Sequence, residues 1–136
     1  MKLETKVTAF NTSSDYRLKE NVIPMSGSIE RLKLLKPSRF NFIIDADKTV
    51  DGFIAHEVQE VIPEAVIGEK DGMKTEEYVV TPASEKRRDD KGNILPAVIG
   101  EREVVDIQGI DQSKLVPLLV GALQEAIARI EVLENA

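Results

Sequence analysis

The 136-residue sequence contains no cysteine and no tryptophan, one histidine, and only 4% aromatic residues. Without cysteine the chain cannot form disulfides, thiolate metal sites or a cysteine nucleophile. With so few large aromatic side chains, the core of a single copy is expected to be small, which favours additional stabilisation by oligomerisation. The longest strongly apolar run, near residues 115–123, contains Pro117 and is far shorter than the roughly 20 residues of a membrane span. We therefore expect no membrane partner.

The sequence also lacks an excess of positive charge, since its net charge is −6. A basic run at Lys86–Arg88 is followed at once by Asp89 and Asp90, which is typical of a solvated loop and argues against a nucleic-acid partner. The first ten residues have no apolar stretch of the signal-peptide kind, so a soluble, cytoplasmically made protein is expected. Metal-ligand sets and phosphate-binding loops are missing from the sequence, and no cofactor or external substrate is predicted.

The sequence predicts both short helices and short strands, with a hairpin that indicates antiparallel pairing, so we expect a small α+β domain. Apolar and polar residues partly alternate over residues 3–10, which indicates a strand, and a second strand is predicted over residues 39–44. Apolar residues at three- and four-residue spacing predict short helices over residues 29–35 and 52–63, each ended by a proline, and serines 26 and 28 are candidate caps for the first.

Residues 76–106 predict a long hairpin arm. Two β-prone segments flank a polar stretch that includes the turn Lys91–Gly92–Asn93. Few side chains at the tip could be buried within one copy. The arm is therefore expected either to extend into solvent or to lie on a partner.

A C-terminal helix is predicted over residues 111–136. Asp111 or Ser113 can cap it, and Pro117 is tolerated if it falls in the first turn. Apolar residues spaced 4, 3, 4 and 3 apart form a heptad seam, hereafter "the seam": Val116, Val120, Leu123, Ile127 and Ile130. Isoleucine at both kinds of seam position favours a trimeric coiled coil. The alternative is a helix that packs only on its own domain.

The stretch NTSSDYRLKENV, residues 11–22, places Ser14 five residues before Lys19. A serine hydroxyl becomes an effective nucleophile when a base takes its proton, and a neutral lysine can be that base. Because side chains at i and i+5 do not share a helix face, Ser14 must lie in an extended or turning segment, with Lys19 reaching back or coming from another subunit. The alternative is a capped helix start in which a serine is the cap and Lys19 faces water.

Three ordered blocks of sequence resemble one known family. SDYRLKEN, from Ser14, resembles the S-D-x-R-L-K-x-N signature of the C-terminal intramolecular chaperone domain of bacteriophage tail spikes and tail fibres, the endosialidase-type auto-processing domain. GFIAHEVQEVIPEAV, from Gly52, is similar to that family's second signature. IDQSKLVPLLVGALQEAIARIEVLE, from Ile110, resembles its closing coiled coil.

The resemblance implies a homotrimeric domain at the end of a fibre, made in the host cytoplasm, that helps the preceding segment of the same polypeptide to fold and then cuts itself off. Residues 1–13 would be the end of the upstream fibre segment, and residues 14–136 the chaperone domain. The cut would fall between Ser13 and Ser14. Ser14 would attack the carbonyl of the preceding residue, with Lys19 as its base.

The resemblance also implies supporting residues. Asp15, Arg17 and Asn21 would orient the segment or stabilise the developing oxyanion. His56 and Glu57 match the second signature and would approach the cut site, although a helical histidine beside an apolar face commonly has a structural role. The arm of residues 76–106 would hold the upstream fibre segment.

Two alternatives remain at this stage. One is a trimerisation module that does not cleave itself, in which Ser14 and Lys19 are only structural. The other is an unrelated cytoplasmic domain whose arm binds a protein partner. Light scattering separates the second alternative from the trimeric hypotheses.

Overall fold

The structure, a computed structural model, describes residues 11–136, and the strand expected over residues 3–10 lies outside them. The α-helices are α1 Ser28–Leu32, α2 Ala55–Gln59 and α3 Val116–Glu134. The strands are β1 Ser38–Asn41, β2 Thr49–Gly52, β3 Val66–Ile67, β4 Met73–Thr81, β5 Val98–Val105 and β6 Gly109–Ile110. Four 3-10 turns connect them in this part of the chain, at Tyr16–Leu18, Ile43–Asp45, Pro63–Ala65 and Gln112–Leu115.

The strands form three two-stranded antiparallel sheets, in the pairs β1–β2, β3–β6 and β4–β5. The mixture of short helices and small antiparallel sheets confirms the predicted α+β class. Neither α3 nor any other helix within residues 11–136 has the length and hydropathy of a membrane span.

A small apolar core lies where α2 and the start of α3 meet. Val58 and Ile62 come from α2 and the turn behind it, and each is only 1% exposed. Leu115 and Leu118 close the core from the C-terminal helix, at 4% and 2% exposed. Partly buried side chains surround them: Leu32, Leu35, Phe53, Ala55, Val61 and Ile110. The small size of this cluster agrees with the low aromatic content of the sequence.

Several predicted elements are shorter in the structure than in the sequence pattern, among them α1, which ends at Leu32 rather than at residue 35. Helix α2 covers Ala55–Gln59 rather than residues 52–63, because Gly52 pairs with Ser38 in the β1–β2 sheet and the next two residues remain extended. Strand β1 ends at Asn41, since the chain turns at Phe42 into the following 3-10 turn.

The hairpin arm is formed by β4 and β5, paired from Met73 opposite Val105 to Tyr78 opposite Gly100, with a bulge near Thr81. No side chain of either strand is buried within residues 11–136. At the tip, the carboxylate of Asp89 accepts hydrogen bonds from the backbone N–H groups of Lys91 and Asn93, which orders the turn. The arm is therefore a well-formed but exposed two-stranded ribbon.

Helix α3 presents two different faces. Leu115, Leu118 and Ala122, spaced three and four apart, pack towards α1 and the core. The seam residues stay between 46% and 63% exposed on another side of the same helix. Asp111 caps the preceding 3-10 turn and Pro117 falls in the first turn of α3, as the sequence predicts. One face thus belongs to the domain, and the seam has no covering within residues 11–136.

Candidate functional site

Ser14 and Lys19 meet within one chain. Lys19 Nζ donates a hydrogen bond to Ser14 Oγ over 2.6 Å. The 3-10 turn at Tyr16–Leu18 makes this possible, since it folds the chain back by a single turn, and Lys19 beyond it returns to extended backbone with φ −121° and ψ 144°. Of the two geometries that the five-residue spacing allowed, the lysine reaching back along its own chain is the one observed.

Asp15 and Arg17 form a second pair interleaved with the first. The Asp15 carboxylate accepts hydrogen bonds from the backbone N–H of Arg17 at 2.9 Å and from its guanidinium at 3.0 Å. Asp15 is thereby the N-cap of the 3-10 turn, a role that neither Ser13 nor Ser14 takes. The guanidinium of Arg17, followed by its backbone N–H, lowers the pKa of the Asp15 carboxyl. Asp15 therefore remains ionised at neutral pH and stabilises the turn.

We call residues 11–27 the opening segment. Outside its 3-10 turn, this segment is extended and lies on the surface. Asn21 has φ 53°, in the left-handed region that asparagine tolerates better than most residues, and it redirects the chain after Lys19. All residues from 11 to 27 are exposed in the single chain. Four large apolar side chains lie in this short segment, at 72% to 82% exposure: Tyr16, Leu18, Val22 and Ile23. The periodicity of the sequence did not indicate this apolar surface.

His56 and Glu57 lie on α2. Glu57 forms an ion pair with Lys36 at 3.7 Å. His56 faces a shallow surface depression that it shares with Gln59 and Lys70. Within residues 11–136, no hydrogen bond or ion pair joins either residue to the segment 14–21. Their expected approach to the cut site stays a prediction.

One residue that anchors the site was missed by sequence reasoning. Glu125, on α3, accepts hydrogen bonds from the backbone N–H groups of Ser28 at 2.8 Å and Ile29 at 3.0 Å. These are the first N–H groups of α1, whose N-cap is Gly27 in the left-handed conformation, with φ 68°. The two N–H donors lower the pKa of Glu125. No local pattern reveals this contact, because the partners are 97 and 96 residues apart.

The Glu125 contact holds the C-terminal end of the opening segment against α3. Immediately before α1, Pro24 and Met25 lie beside Pro117, Val120 and Gly121 along a shallow surface of that helix. The side chain of Ser28 is completely buried at the crossing of α1 and α3, and its hydroxyl has no hydrogen-bond partner among the described residues. The site is therefore an exposed turn attached firmly at one end.

Residues 11–136 contain no group of three or more histidine or acidic side chains arranged to bind a metal ion. The chemistry available in the opening segment is that of a hydroxyl, an amine, a carboxylate and a guanidinium. These groups suit nucleophilic attack with proton transfer.

Comparison with known proteins bears on the same segment. Among solved structures, a crystal structure described as a novel intramolecular chaperone is similar with a TM-score of 0.50 and 20% sequence identity, over 85% of this chain and 99% of that one. At that identity the likeness shows a shared fold. No curated protein matches the sequence. The family described as chaperone of endosialidase matches residues 14–67, which begin at Ser14 and include the second signature. This match confirms, over residues 14–67, the resemblance that the signature residues predicted.

Proposed function

We propose that the chain is a homotrimeric intramolecular chaperone for a phage tail fibre or spike, and that it removes itself by cutting between Ser13 and Ser14. The observation that carries the proposal is the 2.6 Å hydrogen bond between Lys19 Nζ and Ser14 Oγ. It brings a nucleophile and a base together beside the bond to be cut. In this proposal residues 1–13 end the upstream fibre segment, and residues 14–136 act in the host cytoplasm and leave the mature virion.

The cut proceeds in two steps. With Lys19 neutral, its amine takes the Ser14 hydroxyl proton while Oγ attacks the carbonyl carbon of Ser13. Lys19 then gives that proton to the amide nitrogen of Ser14 as the C–N bond breaks, leaving an ester between Ser13 and Ser14 Oγ and a free amine. Water activated by Lys19 hydrolyses the ester. The net reaction consumes one water molecule and happens once per chain.

Asp15 and Arg17 have a positioning role in this proposal. Their ion pair fixes the 3-10 turn that brings Lys19 back to Ser14, and a reacting pair depends steeply on such geometry. Asn21 directs the chain away from the turn. His56 and Glu57 make no hydrogen bond or ion pair with residues 14–21 within one chain, so a role at the cut site would require an approach from another copy or on assembly.

Assembly would change the surroundings of the reacting groups. The opening segment is exposed in a single copy, together with its apolar side chains Tyr16, Leu18, Val22 and Ile23. Covering this surface by another copy or by the upstream segment would remove water from the reacting groups, which favours an uncharged amine and strengthens the remaining polar interactions. Cleavage would then follow assembly rather than precede it.

The seam on α3 supports the trimer. Its five side chains are half exposed at coiled-coil spacing, while the other face of α3 holds the helix on the domain. From Ile127 onwards every residue of α3 is exposed, so the last two turns extend beyond the core. Three such helices can pack seam to seam without disturbing Leu115, Leu118 or Ala122.

A C-terminal trimer explains how the chaperone would work. Three fibre chains must find one another and the same register, and a trimer at one end raises their effective concentration to roughly millimolar. The folding of the fibre then becomes a local zipping reaction. Removal of the trimer afterwards leaves the fibre kinetically trapped, because the route by which the chains assembled is no longer available.

The hairpin arm is proposed to hold the upstream segment. An isolated two-stranded ribbon is marginal in water, and β4 and β5 bury no side chain within the described chain. Both strands carry exposed apolar residues, among them Val79, Val80 and Ile99. A β-rich fibre segment from the same polypeptide is the partner that such a ribbon fits best.

Denaturing mass spectrometry of the chain joined to its upstream segment tests the proposal. We expect a Ser14–Ala136 fragment from the wild type and from Ser13→Ala, the matched control, and an intact chain from Ser14→Ala. Both serines are exposed, so neither change should alter the fold, which circular dichroism checks. A trimer by light scattering without any cleavage would leave the non-cleaving trimerisation module, and a monomer would exclude both.

A further inference from the structure

Two isoleucines form the most exposed apolar feature in the described part of the chain. Ile43 and Ile44, in the turn between β1 and β2, are 97% and 98% exposed, and Phe42 beside them is 61% exposed. We call these three residues the knob. The 3-10 turn that presents the knob is held by a backbone hydrogen bond from Asp45 to Phe42, so the side chains project from an ordered loop. Exposed isoleucines in such an arrangement indicate a contact surface.

The same chain has an apolar groove that the knob does not occupy. The groove lies between α1 and the start of α3, and its volume is about 530 Å³. Most of its lining is aliphatic or aromatic: Leu32, Leu35, Pro37, Phe53, Leu115 and Leu119. Lys33 and Gln112 lie at its edge. Two isoleucine side chains are small enough to enter this volume.

The position of the groove points to another copy of the chain. Leu119, on the wall of the groove, is 49% exposed and lies three residues from Val116 and four residues from Leu123 of the seam. A copy that packs along the seam therefore lies next to the groove. The seam spans little more than two heptads, which is marginal alone, whereas stable interfaces bury about 1,200–2,000 Å² in total. Contacts outside α3 are required for a stable trimer.

We infer that the knob of one copy, Phe42–Ile44, docks in the α1–α3 groove of the adjacent copy. The contact is heterologous, since knob and groove are different surfaces, and three such contacts close a ring under three-fold symmetry. The inference rests on the proposed trimer and adds a second interface to its coiled coil. It also links the β1–β2 sheet of each copy to α1 of the next copy. Helix α1 directly follows the opening segment, which contains Ser14 and Lys19.

Cysteine cross-linking tests the contact directly, because the chain has no cysteine of its own. Two full-length variants, Ile44→Cys and Lys33→Cys, are co-expressed with different tags and oxidised. Both positions are exposed, so the fold should tolerate the changes. We expect a disulfide-linked dimer that contains both tags, and none when Lys33→Cys is replaced by Lys86→Cys at the tip of the arm. Absence of the mixed-tag dimer from a trimeric sample overturns the inference.

A cysteine in the seam distinguishes absence of the knob contact from absence of the trimer. Ile127→Cys should cross-link with itself if α3 forms the coiled coil. Cross-links through Ile127→Cys without any between positions 44 and 33 would retain the proposed function and refute the knob contact.

Substitution gives an independent measurement. Replacing both isoleucines by serine should weaken trimer association by at least about tenfold, as expected for losing the burial of two such side chains. The control is Ile107→Ser, whose side chain is 81% exposed and lies outside the groove. Sedimentation equilibrium over a dilution series measures the trimer dissociation of the double variant and of the control. Equal dissociation of the double variant and the control would contradict the inference.

Discussion

At the scale of residues, the candidate site depends on two interleaved pairs within six positions. Asp15 and Arg17 close the turn, and Ser14 and Lys19 are brought together by its closure. The carboxylate, with its lowered pKa, keeps the ion pair intact at neutral pH. The signature residues between Ser14 and Lys19 thus have a structural role, because the turn that they form sets the reach of the lysine.

A buried serine gives a residue-scale prediction. Ser28 is 0% exposed and its hydroxyl is unpaired among the described residues, while an added Cβ at Gly121 would lie 2.5 Å from that hydroxyl. Ser28→Ala should raise the free energy of unfolding by about 1 kcal/mol, since it removes an unsatisfied polar group from the α1–α3 crossing. Gly121→Ala should lower it, although alanine is the better helix former. Urea denaturation at one protein concentration measures the free energy of unfolding of both variants. A Ser28→Ala variant that is less stable than the wild type would contradict this prediction.

Spacing predicted part of this site and could not predict the rest. The five-residue separation of Ser14 and Lys19 excluded a shared helix face. It left open whether Lys19 reaches back or comes from another subunit, and the structure shows the contact within one chain. The cap of α1 was expected from the serines near Gly27. It comes instead from Glu125, whose distance along the chain leaves no local signal.

At the scale of elements, α3 combines a face packed on its own domain with an exposed seam, so its structure is compatible with both interpretations of its apolar stripe. Its apolar stripe is wide because it contains two faces: Leu118 and Ala122 pack on the domain, and the seam stays exposed beside them. The sequence predicted the helix and its capped start well, since nineteen consecutive residues carry a strong period. It overestimated α2, because strand pairing at Gly52 overrides a helical pattern over so short a stretch.

Glu125 makes the attachment of α1 to α3 dependent on pH. Because its pKa is lowered in the folded state, its contribution to stability is present above the ordinary carboxyl range and is lost as the pH falls through the lowered pKa. Arg129, one turn further along α3, adds to the lowering. Glu125→Gln should therefore reduce the melting temperature by a few degrees at neutral pH. The difference from the wild type should narrow as the pH falls below the ordinary carboxyl range and through the lowered pKa of Glu125, because the carboxyl is then protonated.

Thermal denaturation at fixed protein concentration checks this expectation. Glu131→Gln on the same helix is the control, since Glu131 is exposed and its side chain has no hydrogen bond or ion pair among the described residues. It should leave the melting temperature unchanged. A Glu125→Gln deficit that persists undiminished at low pH would show that the lost interaction is not the charge on the carboxylate.

At the scale of the whole molecule, a small core supports surfaces that a single copy leaves uncovered. The exposed opening segment, the seam, the knob and the arm all extend from the core formed by α2 and the start of α3. The low aromatic content of the sequence predicted the small core. The knob could not be predicted, because Ile43 and Ile44 belong to a pattern that also describes a buried strand.

Mixed trimers test whether each copy cuts its own chain. Ser14→Ala keeps the lysine and Lys19→Met keeps the serine, so a dyad formed between copies would be restored in a mixture of the two. Because the pair meets within one chain at 2.6 Å, we expect the co-expressed variants to remain uncut. Denaturing mass spectrometry of the variants, each joined to the upstream segment, shows whether either chain is cut. Restored cleavage would place the serine and its base in different copies.

The most direct test of the central claim is to trap the ester that Ser14 forms. The wild-type chain, joined to its upstream segment and allowed to assemble, is treated with hydroxylamine during cleavage and analysed by mass spectrometry. The account predicts a Ser14–Ala136 fragment and an upstream fragment that ends in a hydroxamate at Ser13, because hydroxylamine attacks an ester faster than water does. An upstream fragment with only a free carboxylate, a cut at another bond, or a chain that stays intact in the assembled trimer would contradict it.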